Sequence, residues 1–287
     1  DTTPIRFGTQ GDGSADVALQ DKTYSKTKAW DQADYLVYSG KFVNDRVMLI
    51  LGARDDHSDN DVYTHDRVGQ SINKVRADKV KVRTYQRGIS GELTPQISAF
   101  ALSAEGVQPN FNGYVDVNGD PIGAVVAKSK EFGLKFDLFD SAFNGTVSAF
   151  KTKRSNVPEA APDLGVGYFR SAPGQTSQGL EVSASYNPSR RFQLNGGYAY
   201  LDAFDTRTRQ TVANLSQHAF SGFARYEQPD GALKGLFATV GCIYRSTRVP
   251  TSGTAQPQWI VPEFKRLDLG LGYGWKSGAV QYRVTVN

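Results

Sequence analysis

A single cysteine and a single methionine occur in the 287 residues. Cys242 alone excludes an internal disulfide and any cysteine-built metal cluster. Long apolar runs are missing too, since no stretch approaches the ~18 to 20 residues that a membrane-spanning helix requires. That excludes a helical membrane protein but leaves β-barrels open, because their strands place lipid-facing and lumen-facing residues in alternation. Charge of one sign is also lacking. Lys and Arg number 33 against 29 Asp and Glu, a net charge of +4. The basic residues are scattered rather than gathered in a stripe, so nucleic acid is not an expected partner. A mean hydropathy of −0.44 with 39% hydrophobic residues would, in isolation, match an ordinary soluble protein. What is plentiful is Gly (29), Phe (16) and Tyr (14), which favours a β-rich chain.

Short polar turns alternate along the chain with long polar loops. The turns fall at Val43-Asn44-Asp45-Arg46, Leu93-Thr94-Pro95-Gln96, Asp140-Ser141-Ala142-Phe143, Asn187-Pro188-Ser189-Arg190, Gln228-Pro229-Asp230-Gly231 and Lys276-Ser277-Gly278. They recur roughly every 40 to 50 residues, the length of two long strands plus one long loop. Short turns on one rim and long loops on the other describe an antiparallel transmembrane β-barrel of the bacterial outer-membrane type.

Parity within the strands agrees. Phe132, Leu134, Phe136 and Leu138 alternate with Glu131, Gly133, Lys135 and Asp137. Leu180, Val182, Ala184 and Tyr186 oppose Glu181, Ser183 and Ser185, and Leu267, Leu269, Leu271, Tyr273 and Trp275 oppose Asp268, Gly270, Gly272 and Gly274. Such alternation gives a sheet with one oily and one wet face. A soluble sandwich would also show it, but sandwich strands are usually about five or six residues long. Here 78 to 92, 191 to 204 and 233 to 246 run to a dozen or more, as a tilted bilayer crossing demands. The apolar faces end in aromatics, Tyr198 and Tyr200 or Tyr273 and Trp275, where an interfacial girdle belongs.

The pattern predicts strands at 30 to 42, 46 to 55, 78 to 92, 95 to 104, 129 to 139, 143 to 154, 166 to 186, 191 to 204, 215 to 227, 233 to 246, 264 to 275 and 279 to 287. A thirteenth is expected near Asp16 to Lys22. Because the chain stops inside a strand, at Val284-Thr285-Val286-Asn287, it leaves an edge that lipid penalises. Residues 1–287 are therefore expected to be part of a longer barrel.

These residues carry a family resemblance. Gln178-Gly179-Leu180-Glu181, the Asn187-Pro188 turn and Phe192-Gln193-Leu194-Asn195-Gly196-Gly197-Tyr198-Ala199-Tyr200 resemble the C-terminal half of TonB-dependent outer-membrane receptors, particularly the ferric-siderophore group. Lys41-Phe42 to Gly52-Ala53-Arg54-Asp55 is similar to the family's hairpin ending in Gly-x-Arg-Asp. Leu215-Ser216-Gln217-His218-Ala219-Phe220 and Pro262-Glu263-Phe264-Lys265-Arg266-Leu267-Asp268-Leu269 resemble two later strand openings, and Tyr282 to Asn287 resembles the strand that precedes an Asn-Leu-Phe turn. The matches run in order over about residues 30 to 287. The resemblance implies an active importer in the outer membrane whose lumen is closed by an N-terminal plug and which releases a ferric siderophore or related chelate when TonB pulls on that plug. It implies no resident cofactor, and bilayer lipid as the surrounding partner. The plug, the TonB-contacting box, the early strands and the last strands are not recognisable in these residues. A passive porin and a structural or adhesive barrel are the alternatives.

Ligand specificity is expected in the outward loops, which are free of the bilayer's constraints, at roughly 56 to 77, 105 to 128, 155 to 165, 205 to 214 and 247 to 263. Tyr63, Phe111, Tyr114, Tyr168, Phe169 and Trp259, with Arg67, Arg170 and Arg248, are groups that stack on and neutralise an anionic chelate. The acidic run from Asp55 to Asp66 holds two of the three histidines, His57 and His65. It tempts a Ca²⁺ reading, yet Asn60 falls where an EF-hand needs Gly and Asp66 where it needs Glu. A solvated polar loop is the expectation. No catalytic residue is expected. Gly270-Leu271-Gly272-Tyr273-Gly274 keeps strand parity, which makes its glycines small inward residues rather than a nucleotide loop. His218 and Ser216 share a strand face but lack a nucleophile motif and an orienting acid.

Overall fold

Alternation with period two, sustained over a dozen residues and broken only by turn-forming pairs, leaves the chain one regular solution: long antiparallel hairpins laid side by side. A computed structural model describes residues 23–66, 71–109, 114–165, 167–172, 174–250 and 260–286. Its main sheet has twelve strands in sequential order. They are β1 (Thr23–Phe42), β2 (Val47–Asp66), β3 (Ser71–Thr94), β4 (Ile97–Gln108), β5 (Val125–Leu138), β6 (Phe143–Ser155), β9 (Gln175–Ser189), β10 (Phe192–Asp205), β11 (His218–Glu227), β12 (Leu236–Arg245), β13 (Phe264–Ser277) and β14 (Val280–Val286). Between β6 and β9 a small hairpin, β7 (Val157–Ala160) and β8 (Phe169–Ala172), forms a separate two-stranded sheet. The expected strand near Asp16 to Lys22 lies outside the described residues.

Residues opposed across an antiparallel ladder share a face, so register fixes what each side of the wall presents. One row runs Ile89, Ala101, Phe132, Ala149, Leu180 and Tyr200 across β3, β4, β5, β6, β9 and β10. The adjacent parity carries Lys135, Thr146, Ser183, Gly197, Ser221 and Ile243 across β5, β6, β9, β10, β11 and β12. The apolar face is bare: Leu267 is 64% exposed, Leu269 61% and Phe132 67%. Exposed apolar rows of this length need lipid as their solvent. The polar face therefore lines the lumen.

Aromatics bound the apolar band. Toward the loops, Tyr200 packs on His218 with ring centroids 5.3 Å apart, and Tyr198 Oη lies 2.8 Å from His218 Nδ1. Toward the turns, Trp275 stacks between Tyr273 at 5.8 Å and Tyr282 at 5.3 Å. Along β10, Phe192 to Tyr200 spans about 27 Å at the usual rise per residue, or about 20 Å of height at a barrel strand's tilt. That is close to the apolar thickness of an outer membrane.

The core sits away from the wall's centre. Ile122, Ala124, Val125, Ala161, Ala172, Ala203 and Phe204 are buried among the loops at the long-loop end. Phe237 is buried at the turn end on the luminal face, beneath the Arg225 guanidinium at 4.0 Å and the Arg283 guanidinium at 5.6 Å. It occupies the room left by Gly272, where a Cβ would run into the ring. The glycines of the Gly270 to Gly274 run are thus small inward residues, and Cys242 shares the lipid-side row of Leu267 and Gly222.

Two expected boundaries are corrected. The expected loop 56–77 is mostly strand, because β2 continues to Asp66 and β3 resumes at Ser71. Arg83 Nε and Nη2 each reach an Asp55 carboxylate oxygen at 2.7 Å, and Lys79 Nζ reaches Asp59 at 3.2 Å. Opposite charges facing across the ladder sustain a strand extension that is wet on both sides, and such an extension carries no hydrophobic alternation. The expected strand 166 to 186 is broken. Gly174, at φ 88°, turns the chain, so Phe169–Ala172 folds back on Val157–Ala160.

Candidate functional site: the loop cap

The loops at the long-loop rim tie to one another. In the β4–β5 loop, Asp116 Oδ1 accepts the backbone N–H groups of Asn118 at 2.9 Å and Asp120 at 2.8 Å, and Val115 bridges Pro121. This Asx-type turn presents Tyr114, whose ring meets Phe169 of β8 at 4.2 Å and 46°. The Phe169 N–H donates to the Val115 carbonyl at 2.7 Å, and Asn156 Nδ2 donates to the Ala124 carbonyl at 3.3 Å. The hairpin is thereby held to the β4–β5 loop by backbone and ring together.

Its other side meets the β10–β11 loop. Arg207 Nη2 pairs with Glu159 at 3.1 Å, the Thr206 N–H donates to the Gly174 carbonyl at 2.9 Å, and the Thr206 and Thr176 hydroxyls lie 3.1 Å apart. Asp205 Oδ1 organises that loop by accepting from the Arg207 N–H at 2.9 Å, the Thr208 N–H at 2.7 Å and the Thr208 hydroxyl at 3.0 Å. The Arg209 guanidinium covers the Phe204 ring at 3.7 Å. The chain of contacts continues to the β12–β13 loop, where the Asn214 N–H donates to the Val249 carbonyl at 2.7 Å and Asn214 Nδ2 to the Pro250 carbonyl at 3.3 Å.

Of the residues expected to bind ligand, Tyr114, Phe169 and Arg170 come together in this cap, each half-buried. Tyr168 lies beside them, its ring over Gly165 and its carbonyl accepting from the Ala161 N–H. Arg170 forms an ion pair with Asp163 of the 3-10 turn Pro162–Leu164. Tyr63 is on the β2 extension, opposite Lys26, rather than in a loop. Phe111, Trp259 and Arg67 lie outside the described residues. Arg248 is bridged through its backbone to Val261. Sequence reasoning missed Asp163, Glu159, Arg207 and Asp205. Asp205-Thr206-Arg207-Thr208 is itself a side-chain-capped turn signal, whereas nothing local marks Glu159 as the partner of Arg207.

Asp163 and Asp205 are both held below the usual carboxylate range, Asp163 first by its hydrogen bond from Arg170 and Asp205 first by the Thr208 backbone N–H. A carboxyl whose folded pKa is lowered contributes stability above its unfolded pKa of about 3.9 and loses it as pH falls through the folded value. Protection of the amides in 157–165, 167–172 and 206–212, corrected for the intrinsic pH dependence of exchange, is expected to hold from about pH 5 to 8 and to fall below about pH 4. Corrected protection that is unchanged down to about pH 2.5 would show that neither carboxylate holds the cap.

The luminal face below the cap carries Glu131, Glu181, Ser148, Ser183, Ser221 and Arg245 around a depression of about 460 Å³. His218 and Ser216 each have other partners. His218 meets the Tyr198 hydroxyl, and the Ser216 hydroxyl donates to the Ser246 carbonyl at 2.8 Å. The carboxylates expected in the Asp55 to Asp59 run are spent on Arg83, Arg54 and Lys79, with Arg54 Nη2 2.7 Å from Asp56.

A lipid-faced antiparallel meander, short turns on one rim and an interlocked cap on the other define an outer-membrane β-barrel wall. The chain matches the TonB dependent receptor-like β-barrel model over residues 2–287. It belongs to the TonB-dependent receptor family and is a protein of the bacterial outer membrane. It is 28% identical over 247 residues, 82% of its length, to the metal-pseudopaline receptor CntO of Pseudomonas aeruginosa strain UCBPP-PA14. It is 26% identical over 160 residues, 54% of its length, to the ferric-pyoverdine M114 receptor PbuA of Pseudomonas sp. strain M114. The chain spans 34% of the first of these and 19% of the second. Its fold matches BauA, the ferric preacinetobactin receptor of Acinetobacter baumannii, with a TM-score of 0.74 at 23% identity, covering 91% of this chain and 39% of that one.

Proposed function

We propose that the chain forms wall strands and ligand-facing loops of a receptor that imports a ferric siderophore or related metal chelate, energised through TonB. The observation that carries this reading is the cap. Loops of a passive pore need only leave the lumen open, whereas here four consecutive loops are tied into one assembly that brings Tyr114, Phe169 and Arg170 together. Aromatic faces and guanidinium groups on a braced scaffold suit a large, flat, anionic chelate. The kinship to receptors whose names specify metal-pseudopaline and ferric-pyoverdine points the same way.

The Arg170–Asp163 ion pair gives the site a defined resting state. An incoming anionic ligand competes with the Asp163 carboxylate for the guanidinium, so binding is coupled to a rearrangement of the Pro162–Leu164 turn. The test is uptake of iron-55 chelates by cells that express the protein carrying this chain as their sole receptor of this kind. Saturable uptake that vanishes when TonB is deleted is the expected result. Uptake that persists without TonB and rises linearly with concentration would establish a passive pore instead.

A further inference from the structure

A block of like charges sits on the lipid side of the wall just beyond the apolar band. Lys130 lies directly opposite Lys151, and Lys128 directly opposite Lys153, across β5 and β6. These positions continue the parity of Phe132 and Leu134, so they face outward, toward the loop rim. Like charges directly opposed on a sheet destabilise it. Only Lys128 has a carboxylate partner among the described residues, Glu105 at 3.0 Å. The same row brings Arg87 through Ser103 to Lys130.

Directly beneath lies a groove of about 560 Å³. Its floor is Leu49, Ile89, Ala101 and Phe132, and its upper rim is Arg87 and Lys130. Ala101 stands between Ile89 and Phe132 in one register row. Two strand spacings separate those larger side chains, about 10 Å, and the single methyl group between them leaves a channel as wide as an acyl chain. A cationic rim over an apolar slot, at the height where headgroups meet hydrocarbon, has the chemistry of an anionic amphiphile.

We propose that this face holds a phosphate-bearing anionic lipid of the outer leaflet, its phosphate between Arg87, Lys130 and Lys151 and an acyl chain over Ala101. The site is distinct from the loop cap and independent of which chelate is imported. The phosphate offsets the lysine–lysine repulsion that the sheet otherwise carries.

The test uses the protein carrying this chain, folded in neutral detergent, titrated with dilauroyl phosphatidic acid, dilauroyl phosphatidylcholine and inorganic phosphate, with binding read by native mass spectrometry. Each basic group at an anionic surface strengthens binding about fivefold, so R87Q/K130Q/K151Q is expected to weaken phosphatidic acid on the order of a hundredfold while leaving phosphatidylcholine unchanged. Ala101→Phe fills the slot and weakens phosphatidic acid with every charge retained. K234Q, in the exposed β11–β12 turn, changes nothing. Unchanged phosphatidic acid affinity in the triple variant overturns the proposal, as does equal affinity for the two lipids. Displacement of phosphatidic acid by equimolar inorganic phosphate would show a free-anion site, and lipid-reversible dimers that pair through this face would show a second copy as its occupant. Either result also overturns the proposal.

Discussion

Lysine at Val182, between the middle of the apolar band and its loop-side girdle, is expected to cost about 1 to 3 kcal/mol of stability, and lysine at the adjacent Ser183 less than about 1 kcal/mol. Val182 lies opposite Val147 on one side and Tyr198 on the other, in the apolar parity of the wall. A charge there must either enter hydrocarbon or bend its stem out of it. Ser183 lies opposite Thr146 and Gly197 on the wet face, two residues from Glu181, where an ammonium keeps its water. Val182 is 38% exposed, and by the rules of a soluble protein either substitution would be tolerated. Urea unfolding in phospholipid vesicles, followed by tryptophan fluorescence, measures both. Equal costs at the two positions would refute the assignment of faces.

Valine at Gly174 is expected to cost about 3 kcal/mol and to loosen the loop cap as a unit. Gly174 is buried with φ 88°, and a Cβ there would run into the Arg154 carbonyl oxygen. A β-branched residue pays both for the left-handed backbone and for the collision. The consequence spreads because the Gly174 carbonyl accepts from Thr206 and Thr176 beyond it meets the same residue. Gly119 supplies the contrast. Its φ is 82°, but a Cβ there would meet nothing within 4 Å, so alanine is expected to cost about 1 kcal/mol. Limited proteolysis within 156–174 reads out the difference, and equal cleavage of the two variants would show that Gly174 does not anchor the hairpin.

The wall was legible in the sequence because a bilayer imposes the same requirement on every strand. Leu267 to Trp275 alternates without exception, and its partners in β12 alternate with it except at Phe237, which faces the lumen over Gly272. The strands became illegible where that requirement stops. Asp55 to Asp59 and Lys79 to Arg83 form strand through cross-strand charge pairs, which leave no hydrophobic period to read. The β7–β8 hairpin was hidden for a different reason. Phe169–Ala172 and the strand from Gln175 follow each other closely enough to be read as one run, although Pro173-Gly174 between them is a turn dipeptide, and the structure separates them at Gly174. In the cap, Tyr114, Phe169 and Arg170 were recognisable by type. Their convergence was not, because the bonds that join them, Phe169 to Val115 and Thr206 to Gly174, are backbone bonds without sequence identity.

The sequential order of the sheet also bears on how it is built. Each wall strand pairs with the strand before and after it in the chain, except that β6 reaches β9 across the β7–β8 hairpin. Closing a loop costs little more as it lengthens, so growth one hairpin at a time needs no distant search at any step. Among the described residues, the junction of β6 with β9 is the wall pairing whose connection, 156 to 174, folds into a hairpin of its own. Because that insert packs on the β4–β5 loop through Phe169 and Val115, strands β4 to β6 form the template on which it settles. Assembly therefore proceeds as a zipper that pauses at this junction, where the loop cap is made.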